Sequence, residues 1–330
     1  MTRVVRFHRT GGPEVLQFDD LDIGDPGPGE VRVRIEAIGL NRAEALFRAG
    51  TYIEKPKLPA RLGYEASATV ISWGEGVTGY QARQAVNVIP AFSMNNYGVY
   101  AEEAIVPAMA LVRRAPGLNA IEAAAVWMAN LTAGGALIEI GNLDAGDAVI
   151  ITAASSSVGI AAIQITNSKQ AIPIAITRTG VKKDRLKELG AKHVVVLSSE
   201  DLVAETDAIT GGDGARLVFD PVAGPFVTRL AEAASPRGVL FIYGNLSGVE
   251  TPFPTGAAIR EGLTLRGYTL FEIVTDAGRL ADAVESVMVG LRDGLLRPVI
   301  AKVFHFDEIV EAHRYLESNR QIGKIVVTVP

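Results

Sequence analysis

The chain has 330 residues, room for about two domains, and its 48% hydrophobic and 21% charged residues are those of an ordinary globular protein. A net charge of −5 argues against a polyanionic partner such as nucleic acid, because such binders present a basic footprint. The absence of cysteine excludes disulfides, a thiolate nucleophile and cysteine-ligated zinc.

The first residues, "MTRVVRF", lack the long apolar region of a secretory signal, and no stretch approaches ~18 uninterrupted apolar residues. A cytoplasmic protein that does not span a membrane is expected. Up to about residue 120, short β-like runs alternate with Gly and Pro: "VVRFHR", "GEVRVRIEAIGL", "ASATVISWGEGV", "AVNVIP" and "YAEEAIVP". They predict an irregular, mostly antiparallel β domain with few helices. The pattern then becomes strand, helix, strand. "DAVIIT" precedes a helix over 158–169, and "IPIAIT" follows, with Pro173 at the strand entry, where proline is best tolerated. A charged helix over 182–189 leads to "HVVVL", and a polar helix to "RLVFD". A helix over 226–234 leads to "GVLFIYG", and "LTLRGY" is a sixth strand.

Six apolar strands with helical crossovers predict an α/β fold with a doubly wound parallel sheet. Helices over 276–293 and 306–317 and a last strand, "KIVVTV", are expected to return to the first domain. The predicted division is 1–122, completed by 271–330, and 123–270.

The stretch "ITAASSSVGIAAIQI", 151–165, is where a dinucleotide's phosphates would sit. The glycine-rich fingerprint places glycines at the tight turn, at the approach to the pyrophosphate and at the helix–strand contact. Here those positions are Ala154, Ser156 and Gly159. Ser155, Ser156, Ser157, Val158 and Gly159 are therefore candidate phosphate contacts at a helix N-terminus. The alternative is a tight connection capped by Ser156 or Ser157. About twenty residues on, an NAD site carries an acid for the ribose, whereas "ITRTGVKKDRL" has none before Asp184. Thr177, Arg178 and Lys182 instead suit a 2′-phosphate, and NADPH is the expected cofactor. Gly244 and Asn245 end the fifth strand, and Val222 follows the fourth, where the crevice beyond the sheet should receive the dinucleotide.

Several segments, in order, resemble one family: "GLNRAEALFRAGTY" (its G-V-N-x-x-D…G-x-Y), "LPARLGYEASATV", "NYGVYAEEAIVP", "AAVWMANLTAGGAL", "FDPVAG", "GVLFIYGNLSG" and the terminal "GKIVV". Over essentially the whole chain, the sequence resembles the zinc-independent medium-chain dehydrogenase/reductases, the quinone oxidoreductase and enoyl reductase group. The resemblance implies a GroES-like irregular β domain plus a Rossmann six-stranded sheet. It places Asn41 beside the nicotinamide and Tyr52 at the substrate cleft, and it gives Lys324 the place of a cation that reaches the pyrophosphate.

For each of these a plainer role stays open. Asn41 is a contact or a turn-stabilising residue, Tyr52 a proton donor or a pocket wall, and Lys324 a phosphate ligand or an exposed lysine. Thr132 orients the cofactor or caps a helix, Phe271 lines the pocket or belongs to the core, and Glu65 is an interior hydrogen-bonded carboxylate.

Where related alcohol dehydrogenases hold zinc with Cys, His beside Glu, and Cys or an acid, this chain has Asn41 or its neighbours, and Tyr64 beside Glu65. Ala154 and Ser156 depart from the family's glycines, and Leu197 replaces an aromatic residue that covers the cofactor in many relatives. Without a Lewis acid, conjugated acceptors are easier to reduce than ketones, because their charge delocalises. The expected activity is NADPH-dependent reduction of a small molecule, a quinone or an α,β-unsaturated carbonyl compound. The alternatives are an enoyl-thioester reductase and an NADPH-binding, crystallin-like protein with little catalysis. As relatives pair open sheet edges, "LTLRGYTL" predicts a homodimer through residues of about 263–270.

Overall fold

A computed structural model describes all 330 residues. The chain forms two compact units, Met1–Met128 with Arg297–Pro330, and Ala129–Leu296.

In the first unit, Glu30–Gly39 is the central strand of a seven-stranded sheet. Ala66–Trp73 pairs antiparallel on one side of it, and Glu103–Pro107 pairs with its first half. Lys324–Thr328 closes its other side, with Val326 opposite Gly39, and carries the parallel strand Ile300–His305. A second, three-stranded sheet joins Leu16–Leu21, Thr2–Phe7 and Ala60–Arg61. Over Glu30–Ile35 the central strand alternates less buried and buried residues, as one-faced burial requires. One helix that the sequence pattern did not predict interrupts this β domain. Arg42–Ala49 starts at extended Asn41, takes Glu44 as the capping-box partner, and stops at left-handed Gly50. The signal was legible as Asn-x-x-Glu with a glycine just past the end.

In the second unit, six parallel strands run from edge to edge as His193–Val196, Ile172–Thr177, Ala148–Ile151, Ala215–Asp220, Ala234–Ile242 and Thr264–Gly267. In chain terms this is 3-2-1-4-5-6, the doubly wound order with its switch point between the first and fourth strands. Ile150, Ile174, Val195, Val218 and Leu240, one from each of five strands, share a buried core with Val227 and Leu230 of the helix Val227–Glu232. Pro173 is the second residue of its strand, at the entry as predicted.

Two features differ from expectation. The long helix, Ala277–Arg292, belongs to the parallel-sheet unit and not to the first. Arg279 ties it there, to the Glu139 carboxylate and the Glu272 carbonyl. The helix Trp127–Gly134 also runs on as a π-turn over Gly135–Ile140. The run Ala120–Ile140 is apolar and long enough to cross a membrane, but most of it is buried inside the protein.

Candidate active site

The turn after the first strand of the parallel sheet explains its missing glycines. The left-handed residue is Ala153, φ 45°, so Ala154 needs no glycine. Ser156 is extended (φ −71°, ψ 161°) and caps the helix Ser157–Ser168, its Oγ accepting the Gly159 N–H at 3.0 Å. Gly159 cannot be replaced in the same way. A Cβ there would lie 2.7 Å from both Cα and O of Ala154, so the helix start packs directly on the turn through it. Ser156 thus fills the capping role and still has its hydroxyl proton to donate. The N–H groups of Ser157 and Val158, in the first turn, fall outside the helix's own ladder.

The next turn comes against this one. Lys182 Nζ donates to Ser155 Oγ at 3.0 Å. Burial, and then the charge of Arg178, lowers the Lys182 pKa. Arg178 itself is exposed. Two cations at such close quarters favour an anion between them. Thr177 turns inward to its own loop, its hydroxyl donating to the Thr179 carbonyl at 3.1 Å.

At the switch point the fourth strand contributes Asp220, which the sequence pattern did not single out. It is fully buried and accepts from the Thr152 hydroxyl, from Val222 N–H at 3.0 Å and from Ala223 N–H at 2.9 Å. Its signal was an acid ending an apolar strand, "RLVFDPVAG". The loop after the fifth strand zips onto this turn: Tyr243 N–H donates to Asp220 O, Leu246 N–H to Pro221 O and Ser247 N–H to Val222 O. Val222, Gly244 and Asn245 therefore lie together. Thr132 is buried within Trp127–Gly134, and Phe271 is half-buried at the start of the short helix Phe271–Val274.

The first unit holds a polar interior. Lys324 is 1% exposed, which removes the alternative of an exposed lysine. Its ammonium donates to Glu65 Oε2 at 2.5 Å and to Asn41 Oδ1 at 2.6 Å. Its charge is met by Glu65. Glu65, 0% exposed, also accepts the Trp127 N–H at 2.6 Å. Glu44 gathers four donors: Asn41 N at 2.5 Å, Asn41 Nδ2 at 3.2 Å, Tyr64 N at 3.1 Å and the Tyr100 hydroxyl at 2.9 Å. Burial pushes the Glu44 pKa up, against the Asn41 N–H and the Lys324 charge that oppose it. His313 Nε2 lies 3.2 Å from the Tyr100 hydroxyl, and burial pushes that imidazole down to about 3. Tyr52 stands in a row of rings, edge-on to Phe47 at 6.4 Å and tilted against Tyr64 at 6.4 Å. Burial raises its phenol to about 12.

The histidines occupy separate settings: His8 on Asp19, His193 on the third strand of the parallel sheet, His305 at a strand end, and His313 in the interior.

Residues 27–116 match the alcohol dehydrogenase GroES-like domain, and residues 189–327 match a family described as zinc-binding dehydrogenase. The 2-haloacrylate reductase of a Burkholderia species is 28% identical, with 99% of both chains covered. The quinone oxidoreductase of Pseudomonas aeruginosa is 29% identical, again over 99% of each. The crystal structure of Escherichia coli quinone oxidoreductase complexed with NADPH is similar at a TM-score of 0.91 and 27% identity, over 99% of both chains.

Proposed function

Because this chain belongs to the medium-chain dehydrogenase/reductase family, we propose that it is an NADPH-dependent oxidoreductase that reduces quinones or α,β-unsaturated carbonyl compounds without zinc. The observation that carries this reading is the meeting of Lys182, Arg178 and Ser155 beyond the first two strands of the sheet. A ribose with a free 2′-hydroxyl calls for a carboxylate there, and a 2′-phosphate calls for cations. Ser156, Ser157, Val158 and Gly159 would hold the pyrophosphate at the helix N-terminus. Val222, Gly244 and Asn245 would border the rest of the dinucleotide, with Thr132 and Phe271 as further contacts. NADPH supplies the hydride; the chain's own residues orient the reactants and provide a proton.

The zinc-free part of the reading rests on the donor set. Cysteine is absent, and the four histidines sit in four separate settings. Such a site suits acceptors whose charge delocalises. The related Burkholderia enzyme is named for a conjugated acid, and the related Pseudomonas enzyme for quinones. The presence of Tyr52 and Asn41 at the family's positions favours catalysis over a binding role alone. The test is a panel of quinones, enones and enoyl-CoAs with NADPH, with and without a chelator. We expect turnover of a quinone or enone that the chelator leaves intact. No turnover with any acceptor, or activity that requires added zinc, would overturn the reading.

Arg178→Ala is expected to raise the KM for NADPH several-fold, since one charge-assisted contact to a phosphate is worth about 1.5–3 kcal/mol before solvent screening of this exposed side chain. NADH has no 2′-phosphate, so its KM should stay within about twofold, well below the effect of one such contact. An equal response of the two cofactors would reject the assignment.

The segment of chain that leads into the open edge Thr264–Gly267 carries exposed apolar side chains, among them Ile259 (78%) and Phe253 (62%). Exposed edges and apolar surface of this kind invite pairing. We propose a homodimer through about residues 263–270, measured as a dimer mass by light scattering at micromolar concentration. A monomer mass there would refute it.

A further inference from the structure

We propose that the first unit has a binding site of its own, a cleft at the edge of its larger sheet that takes a small organic anion by a carboxylate or phosphate head. The strand Ala85–Val88 pairs with Ala66–Trp73 on one side and with Leu111–Arg113, the edge strand, on the other. Beside the pairing of Val86 with Arg113 lies a cavity of about 300 Å³. Gly79, Gln81, Gln84, Ala85, Arg113 and Arg114 line it. That volume is at the small end of the range for small-molecule sites. All of these residues belong to Met1–Met128, so the proposal does not rest on the cofactor reading.

The charge of this corner is one-sided. No acid occurs over 76–101 or over 104–121, so its arginines have no partner nearby in sequence. Arg114 is met from the central strand: its Nη2 donates to the Glu36 carboxylate and to Ala68 O, the latter at 3.3 Å. The Nε of the same guanidinium is buried and has no acceptor in the chain. Arg113 is exposed and makes neither a hydrogen bond nor an ion pair. Two guanidiniums against one carboxylate leave the cleft positive, and a positive cleft draws an anion.

Gln84 adds to the donors. Gln81 N–H donates to Gln84 Oε1 at 3.0 Å, while Gln84 N–H donates to Gln81 O at 3.1 Å. A backbone N–H can only donate, which fixes the amide oxygen toward Gln81 and leaves the NH2 group for a ligand. Guanidinium N–H groups and an amide NH2 are donors without acceptors, the complement of carboxylate or phosphate oxygens. A bare inorganic ion is much smaller than the cavity, so the ligand carries an organic body behind its head.

The test is a titration followed in amide NMR spectra of the isotopically labelled full chain. The probes are succinate for the carboxylate head, glycerol phosphate for the phosphate head, and succinamide and glycerol as their uncharged counterparts. At least one anion should shift the backbone signals of Gln81, Gln84, Ala85 and Arg114 saturably, and the tighter of the two names the head. The uncharged probes should leave those signals in place. Arg113→Ala should weaken the anion by about three- to tenfold, a charge contact reduced by solvent screening. Gln84→Glu keeps an oxygen for the Gln81 N–H but sets a carboxylate beside the ligand, and should abolish saturation. Arg113 is exposed and unpaired, so its variant leaves the fold intact even if Gln84→Glu does not. No saturable shift at these residues with either anion would overturn the proposal. So would equal shifts with the uncharged probes, or an affinity that Arg113→Ala leaves unchanged. Shifts confined to the turn of Arg178 and Lys182 would place the anion in the other unit and overturn it as well.

Discussion

Lys324→Met is expected to lower the stability of the fold by about 3–5 kcal/mol, the usual cost of removing one partner of a buried ion pair. Both side chains are essentially inaccessible, so water cannot take the place of the lost ammonium at Glu65. Two contacts go at once, because Asn41 Oδ1 loses its donor as well. The double variant Glu65→Leu with Lys324→Met should recover much of the loss. Apolar replacement of a whole buried pair is often neutral, while breaking it is costly. Denaturant midpoints for the unaltered chain and the two variants would measure this. A single variant within about 1 kcal/mol of the unaltered chain would mean that the pair behaves like a solvated one.

Tyr52→Phe carries the largest expected effect on rate. Burial raises the phenol to about 12, so it is protonated throughout the usual assay range. With the folded value raised, the proton is lost only as pH climbs toward that value, and the Tyr52 contribution to kcat should be flat below about pH 10. An enolate left by hydride addition must be protonated at carbon, and positioned acid help is worth roughly 10²–10⁴-fold. The variant should therefore cut kcat on enone or enoyl substrates by about two orders of magnitude. A quinone leaves an oxyanion that water protonates, so the cost there should stay under about tenfold. Affinity for NADPH should be unchanged. Equal turnover on every accepted substrate would reduce Tyr52 to a wall of the pocket.

The parallel sheet was legible because its signals are local. Each strand is an apolar run closed by small or polar residues, and Ser156 to Gly159 mark a helix start within four residues. What the sequence hid was pairing at a distance. Lys324 meets Asn41 across 283 residues and Glu65 across 259, and Thr152 meets Asp220 across 68. A periodicity contains no such information. The hint was a lone charge inside an apolar stretch, as in "LGYEASATV" and "GKIVVTV", where burial demands an opposite partner without naming it. The helix Ala277–Arg292 goes to the wrong unit on sequence grounds for a similar reason: its partners, Glu139 and Glu272, cannot be read from its own pattern.

The strand Lys324–Thr328 lies against Glu30–Gly39, so the first unit is sewn shut by residues made almost 300 positions later. On a ribosome, Ala129–Leu296 is contiguous and can fold as soon as it emerges, while the residues before it wait with an open strand and an unneutralised Glu65. At about 5–20 residues per second the wait lasts roughly 10–40 s. Of the two units, the one whose synthesis starts earlier is thus the one completed later, with an unpaired strand exposed during that interval.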